Sequence, residues 1–464
     1  MIISKQLIAK FLPKIYDVDD QQFTEACNCL GIEVERIIKH PALNNLVIGE
    51  IIKIENHPNA DKLHFVQVRV GNGDQINNIV CGANNLAINK KVVVALNGAK
   101  LHDGRVIEYK EIRGILSQGM ICAYGELTPH SHFVDDDDRN GIMLLDNAII
   151  GDNSVEKYIG LDDIMYDLSL PSNRNDLNGA LSFCQELSGY FKWDFHWPNT
   201  TDFKGMFKEE INLNYQPEIC EGICAIKIKD INHHKSNWLL KGLLMNNGVK
   251  PLNNTLDRLA YVTLLTNVPT AVYDASKVNN ELNVTLSHDK QEFNGFGQKQ
   301  YVLNTSDIVV ESGNQIIGLG GILGSEKFGM SDLTKDVIIE IANFNYVHIR
   351  DTSIRLDVKT DAARRFSKEM SNYLLLVTLF YIYEQFSNLP ISYPVIKINP
   401  INPLIIDVNL QECAQLIGVS LDNETIKKTL TFLGFQWEEN KIKVPPHRLD
   451  VQINQDVAEE ITKI

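Results

Sequence analysis

No run of this 464-residue chain is apolar for long enough to cross a bilayer. The longest, Leu374 to Tyr383 (LLLVTLFYIY), falls well short of the ~20 residues a spanning helix needs and is interrupted by Thr378. It reads as a core helix. The N-terminal stretch MIISKQLIAKFLPKIYD has neither a long apolar run nor a small-residue cleavage site, so the cytoplasm is the expected location and no membrane partner is expected. Cysteine is present but unorganised. Cys27 and Cys29 form C-x-C, and Cys220 and Cys224 form C-x-x-x-C, yet neither pair has a second partner at zinc-finger spacing. Buried, reduced thiols are the expectation. Positive charge is short: 44 Lys+Arg against 59 Asp+Glu leave −15. An acidic surface repels phosphate, which excludes a general nucleic-acid coat protein and confines any RNA contact to a local patch. No Gly-Lys-Ser/Thr follows a glycine run, so there is no Walker A loop. The cluster Gly318-Leu-Gly320-Gly-Ile-Leu-Gly324 misses G-x-G-x-x-G because Leu323 stands where the third glycine belongs. It reads as a tight turn or close backbone packing beside a pocket. No Ser-His-Asp arrangement can be supported, and no catalytic residue is assigned. His57, His64, His102, His130 and His132 show no metal-ligand spacing on one element and read as surface histidines.

What is present is an ordinary globular composition, 44% hydrophobic and 22% charged, long enough for three or four domains. A helix pattern follows Ser4 (KQLIAKFL), and a second (QQFTEACNCLG) stops at Gly31. From Leu46 the period changes. LVIGEIIKIE, HFVQVRV, NNIVCGA and KVVVALNGAKL are short β-rich runs parted by Asn, Gly, Pro and Asp, which suggests a small closed barrel of the OB type. The window Asn45 to Thr128 holds nine Lys+Arg and eight Asp+Glu, leaving −16 for the rest of the chain, and is the best place for RNA to dock. Asp135 to Asp138 read as a solvated loop, with cation binding as the lesser alternative. Beyond it, SLPSNRNDLNGALSFCQELSGYF is a turn followed by a helix. An α+β region follows, with strands in EGICAIKIKD and DVIIEIANF and helices over 237–246, 251–267 and 359–387. A helix-rich segment from Asn399 closes the chain with the strand pair WEENKIKV and the turn VPPHRLD.

Two local patterns carry chemistry. The first is His57-Pro-Asn-Ala-Asp-Lys-Leu63, with Ile79-Val-Cys-Gly-Ala-Asn84 and Arg113-Gly-Ile-Leu-Ser-Gln-Gly-Met120. Pro58 and Asn59 make a turn that leaves Asp61 and Lys62 at the barrel mouth, while Gly82 and Gly114 permit close backbone approach. Barrels of this kind bind nucleic acid on such a face, but turns that merely close the barrel explain the residues as well. The second is Arg448-Leu-Asp450, followed by Asp456, Glu459 and Glu460. On a helix the last three fall at i, i+3 and i+4, on one face, with Asp450 able to turn back toward them. Hard oxygen ligands suit Mg²⁺, but acidic residues at a helix N-terminus need no metal.

The stretch VIGEIIKIENHPNADKLHFVQVRVG, with NIVCGANN and IRGILSQGMICAYGEL, resembles the tRNA-binding barrel of bacterial phenylalanyl-tRNA synthetase beta subunits, some methionyl-tRNA synthetases and free-standing tRNA-binding proteins. The neighbours favour the first parent. LPSNRNDLNGAL resembles its T-P-N-R-x-D turn. GVKPLNNTLDRLAYVTLLTNVPTAVYD, GLGGILGSEKF, VIIEIANF and KTDAARRFSKEM resemble its module for removing mischarged tyrosine. The residues from Glu412 to Ile464 resemble its B5 domain. The fold expected from the resemblance is multidomain α+β. It comprises an N-terminal helical segment over 1–38, an OB-fold tRNA-binding barrel over 39–150, a connecting segment over 151–207 packed on the N-terminus, a mixed B3/B4 editing-type module over 208–395, and a small helix-rich B5 domain over 396–464.

The resemblance also implies roles. His57, Asn59, Asp61, Lys62, Lys90, Lys91 and Arg113 are the expected RNA-binding residues, and Asp450, Asp456, Glu459 and Glu460 match the family's magnesium ligands. The implied partners are an alpha subunit, in a heterotetramer of two alpha and two beta chains, and tRNA(Phe). ATP and phenylalanine sites are implied on the alpha chain, and family members continue past Ile464. The editing pocket is expected to be degenerate. Where the family has His, this chain has Ala271; its Thr-Asn pair is Leu259-Ala260, and its Gly-Gln is Asn267-Val268. Gly320, Gly321 and Glu340 keep their character, and Glu340 is the residue expected to recognise a tyrosine hydroxyl. A free-standing tRNA-binding protein or a deacylase of mischarged tRNA is the rival reading.

Overall fold

The computed structural model describes residues 1–71, 75–128, 133–418 and 422–463, and His130 and His132 lie outside these. The chain is mixed α+β. Its first sheet is assembled from distant parts: the strand Ile164–Ser169 lies between Ile2–Ser4 and Glu33–Lys39, antiparallel to both. The helices Lys5–Ala9 and Asp20–Cys29 connect the outer strands. Ser4 caps the first, and Asp19 with Gln22 forms a capping box on the second. Residues 1–38 are therefore not helical throughout, because the strands at each end pair with the later strand. Phe23 stacks on Tyr166 at 3.8 Å between helix and sheet.

The second sheet is built on Leu46–Asn56, which pairs with Lys91–Ala95 on one side and His64–Arg69 on the other. Ile76–Cys81 extends one edge; Leu144–Leu145 and Met120–Ile121 both join Lys91–Ala95. Curvature brings the far edge back to the Ser117–Gln118 stretch. There Gln118 N–H donates to the Asn78 carbonyl at 2.7 Å, and Ser117 Oγ accepts from Val80 N–H at 3.1 Å. The interior is tight: a Cβ on Gly49 would stand 2.5 Å from a Val68 methyl. Asp135 to Asp138 are not a loop. Asp135 caps a short helix, Asp136–Asn140, which Lys235 (2.9 Å from Asp135) and Lys241 hold against the following module.

That module packs two sheets. One runs Asn212–Tyr215, Glu281–Leu286, Ile308–Ser312, Gln315–Leu319 and Leu323–Gly324; the other runs Thr270–Asp274, Val337–Phe344, Cys220–Ile228 and Val395–Ile398. The span expected as one helix over 359–387 is two, Asp361–Phe366 and Asn372–Gln385, because Ser371 caps a fresh start. The apolar run Leu374 to Tyr383 lies in the second. Its Thr378 hydroxyl bonds the Leu374 carbonyl and the Thr266 hydroxyl, satisfying the polar atom in the core. Residues from the first sheet and this module share one continuous apolar core. The last segment has its own, around Cys413, Leu430, Phe435, Ile442 and Val457. All eight cysteines are free. Among the described residues no helix is long and apolar enough to cross a membrane.

Candidate functional site

The His57 turn is a clamp. His57 is buried; its Nδ1 accepts from Asn59 N–H at 3.1 Å, which places the ring proton on Nε2, 3.1 Å from the Ile112 carbonyl. Asn59 Nδ2 donates to the Arg113 carbonyl at 3.0 Å, and Arg113 Nη1 returns a bond to the Asn59 carbonyl at 3.2 Å. Arg113 and Gly114, both left-handed at φ 49 and 91, form the tip of the hairpin joining Lys110–Ile112 to Ile115–Ser117. His57 and Asn59 thus fix the loop to the hairpin. Asp61 and Lys62 stand exposed on the loop, and Arg113 stands exposed on the hairpin. His57 is not the surface histidine its sequence context suggests, because two backbone groups of the clamp need its ring nitrogens.

Lys90 and Lys91 are not gathered with them. Lys91 pairs across from Glu50, whereas the His57 turn follows Asn56, roughly 20 Å along the same strand at ~3.3 Å per residue. Lys90 faces Asp146 at 3.3 Å, and Glu50 is bound by Arg69. The basic residue that sequence reasoning passed over is Lys110, exposed on the same hairpin as Arg113. Its position three residues before Arg113 was the available signal.

A cavity of ≈ 420 Å³ opens between the two sheets of the following module. Gly318 to Gly324 form one wall; Leu252, Leu256, Phe344 and Phe366 supply apolar surface. The glycines are needed for packing. A Cβ on Gly320 would stand 2.8 Å from Ile308, and one on Gly321, at φ 65, would stand 3.0 Å from Phe344. On the neighbouring strands Ala271 pairs opposite Glu340, so both face the same way, and Tyr273 is two residues further along that face. Tyr273 is where sequence reasoning stopped short. Its hydroxyl lies 2.8 Å from Glu340 Oε2, and both side chains are buried. Burial pushes the Glu340 carboxyl up to about 7, against the downward pull of the Tyr273 bond. Burial and the neighbouring Glu340 together raise the Tyr273 phenol well above its ordinary range.

The third cluster joins the connecting helix to the last module. Arg448, fully buried, makes a bidentate pair with Asp450 (2.9 and 2.8 Å) and binds Glu460 (2.9 and 2.7 Å) and Glu186 (3.0 Å). Arg174 binds Asp176 (3.0 and 2.9 Å) and Glu186 (2.8 Å). Burial works to raise Asp450, but Arg448 and then Arg174 outweigh it and hold the carboxyl at about 2. Glu186 is depressed on the same balance, burial against the two guanidinium groups. His447, its ring tilted against Trp197 with centroids 4.6 Å apart, is driven down to about 4 by burial.

Asp456 turns back on its own helix, Asn454–Thr462, accepting the backbone N–H groups of Gln452 (2.8 Å) and Ile453 (3.0 Å). Glu459 is exposed and meets Lys463 at 3.0 Å, which also binds Glu460 at 2.6 Å. The four carboxylates therefore do not converge. Among the described residues no group of three or more His, Cys, Asp or Glu side chains is placed to hold a metal ion. This donor set does not fit magnesium: Asp450 and Glu460 spend their oxygens on Arg448, and Asp456 spends one on a helix end.

Three protein families match the chain in succession: a putative tRNA-binding domain over residues 46–150, a B3/4 domain over 219–390 and a tRNA synthetase B5 domain over 406–464. These matches define a chain built of a tRNA-binding module, a B3/4 module and a tRNA synthetase B5 module. Among curated proteins it is 37% identical to the phenylalanine–tRNA ligase beta subunit of Malacoplasma penetrans (strain HF-2), over 91% of this chain and 54% of that one. It is 33% identical to that of Ureaplasma parvum serovar 3, over 100% and 60%, and 31% identical to that of Mycoplasmoides gallisepticum, over 100% and 60%. The chain is similar to phenylalanine–tRNA ligase beta subunits along 91% or more of its own length, and it spans less than two thirds of the length of these relatives. An N-terminal fragment of the phenylalanyl-tRNA synthetase beta subunit from Pyrococcus horikoshii superposes at a TM-score of 0.38 with 13% identity, over 65% of this chain and 87% of that one, too low to bear on the fold.

Proposed function

We propose that this chain supplies tRNA binding and scaffold to a phenylalanine–tRNA ligase, the enzyme that attaches phenylalanine to tRNA(Phe) at the expense of ATP. The observation that carries this reading is the succession of tRNA-binding, B3/4 and B5 modules in one chain that matches phenylalanine–tRNA ligase beta subunits along its whole length. Activation of the amino acid, with its ATP and magnesium, is assigned to an alpha subunit, in an assembly of two alpha and two beta chains in the cytoplasm. The modules divide at 1–38, 39–150, 151–207, 208–395 and 396–464. RNA meets the barrel at the clamped hairpin, through Lys62, Arg113 and Lys110, with Asp61 at the rim. Lys90 and Lys91 belong to the opposite end of the sheet and contribute less. His57 and Asn59 act by holding the hairpin. The measurement is filter binding of the chain to tRNA(Phe). Binding should be weak and should fall steeply between about 50 and about 200 mM salt. Affinity independent of salt, or none, would sink the assignment.

The B3/4 cavity is retained as scaffold, not as a working editing site. Ester hydrolysis needs groups that orient the ester and activate water, each worth orders of magnitude in rate. Ala271, Leu259 and Ala260 offer none, and Glu340 is already bonded to the chain's own phenol. Phenylalanine is then distinguished from tyrosine at the alpha subunit's amino-acid pocket.

A further inference from the structure

The Tyr273 hydroxyl reaches across the polar end of the ≈ 420 Å³ cavity. It lies 2.8 Å from Glu340 Oε2 on the adjacent strand, and on its other side only 3.2 Å from where a Cβ of Gly318 would stand. The space that glycine leaves in the wall is therefore filled by the chain's own phenol. What remains is lined largely by Leu252, Leu256, Leu323, Phe344 and Phe366, with Glu340 as the one carboxyl among the lining residues. A phenolic ligand that seeks Glu340 meets a carboxyl that already has a well-placed donor. A ligand without a hydroxyl meets apolar surface and gives up nothing.

We propose that Tyr273 sets the ligand class of this cavity: its hydroxyl makes the bond to Glu340 that a phenolic ligand would need, so the cavity takes an aromatic or aliphatic group lacking a hydroxyl and selects against phenols. The inference rests on reading the cavity as an editing-type pocket that has lost its hydrolytic groups but still admits a ligand. It goes beyond that reading by naming the residue that decides which side chain is held. A buried carboxyl deprived of its partner regains most from the next donor to arrive. Deleting the Tyr273 hydroxyl should therefore turn the preference around. The burial-raised Glu340 carboxyl supports this, because a group that keeps much of its neutral form near pH 7 can bond a phenol without binding a cation first.

The test titrates toluene and p-cresol into the 464-residue chain by ligand-observed NMR, with the wild-type chain, Tyr273→Phe, and Tyr273→Phe combined with Glu340→Leu. The wild-type chain should bind toluene at least as tightly as p-cresol. Tyr273→Phe should shift the ratio toward p-cresol by about tenfold, the factor a net buried hydrogen bond supplies, and the double variant should lose that gain. A wild-type chain that prefers p-cresol tenfold overturns the proposal, and this arm stands even if Tyr273→Phe does not fold. A folded Tyr273→Phe with an unchanged ratio also overturns it. Failure of either probe to bind any of the three chains instead overturns the ligand-pocket reading beneath it.

Discussion

Two of the buried carboxyl groups in this molecule, Glu340 and Asp450, differ in charge: the first holds its proton far more readily than the second. Glu340 sits among apolar strands with a single neutral neighbour, the Tyr273 hydroxyl, and burial lifts it to about 7. Asp450 sits between modules against Arg448 and Arg174, and although burial again works upward it is held at about 2. Loss of water is common to both, so it does not decide the outcome. The partner decides it: a guanidinium keeps the carboxylate ionised, a phenol does not. The first arrangement makes a recognition group in a cavity, the second a bolt between the connecting helix and the last module.

The largest expected effect comes from breaking the bolt. Arg448→Met removes the bidentate partner of Asp450 and leaves it only Arg174 at 3.7 Å, leaves Glu460 with Lys463 and Glu186 with Arg174, at a cost of about 3–5 kcal/mol. A thermal or urea melt should show the last module released first. Because arginine and not a metal compensates these carboxylates, EDTA should leave the wild-type melting temperature unchanged. A clear drop would place a cation where Arg448 now stands.

The next effect sharpens the contrast through pH. Between pH 4.5 and about 7 the folded chain holds on Glu340 a proton that the unfolded chain has released, so stability falls as pH rises through that window. Asp450 acts in reverse: its contribution is present above 3.8 and is lost as pH falls toward 2. Glu340→Gln should remove the first slope, on the order of 2–3 kcal/mol between pH 5 and pH 8, and leave the acid-side slope in place. Parallel melts of both chains across pH check this. Identical profiles on the neutral side would mean that Glu340 is ionised when folded.

Smaller effects belong to the barrel, whose charges face water. Lys62→Ala and Arg113→Ala should each lower the salt slope of tRNA binding by about 1. Lys90→Ala should leave that slope unchanged and move stability by less than about 0.5 kcal/mol, since its Asp146 pair is exposed. A slope that responds to Lys90 as to Arg113 would move the RNA to the other end of the sheet.

Much of the fold is legible in the sequence, because alternation in LVIGEIIKIE and capping at Ser4 and Asp19 are local signals. What escapes is pairing at a distance. Nothing near Ile2 announces that it will lie beside Asp167, and nothing near Ser371 says that its hydroxyl will end one helix pattern and begin another. The sites divide the same way. His57, Asn59 and Arg113 are legible as a group because their motifs together carry the resemblance to a tRNA-binding barrel, yet their grouping as a clamp depends on a hairpin folding back over 54 residues. Asp450, Asp456, Glu459 and Glu460 look like a ligand set from helical spacing. Spacing cannot reveal that Arg448, two residues upstream of Asp450, turns inward and takes two of them. Glu340 is legible and Tyr273 is not, because the bond between them crosses strands 67 residues apart.

The central claim is that the carboxyl in the B3/4 cavity is engaged by the chain itself and drives no hydrolysis. The direct measurement is deacylation of Tyr-tRNA(Phe) by this chain mixed with a phenylalanine–tRNA ligase alpha subunit, beside a beta subunit that has the His and the Thr-Asn pair. Loss of the ester is expected at the rate of buffer alone. Clearance at the rate of the intact relative would contradict it, and would mean that groups other than Ala271, Leu259 and Ala260 orient the ester and its water.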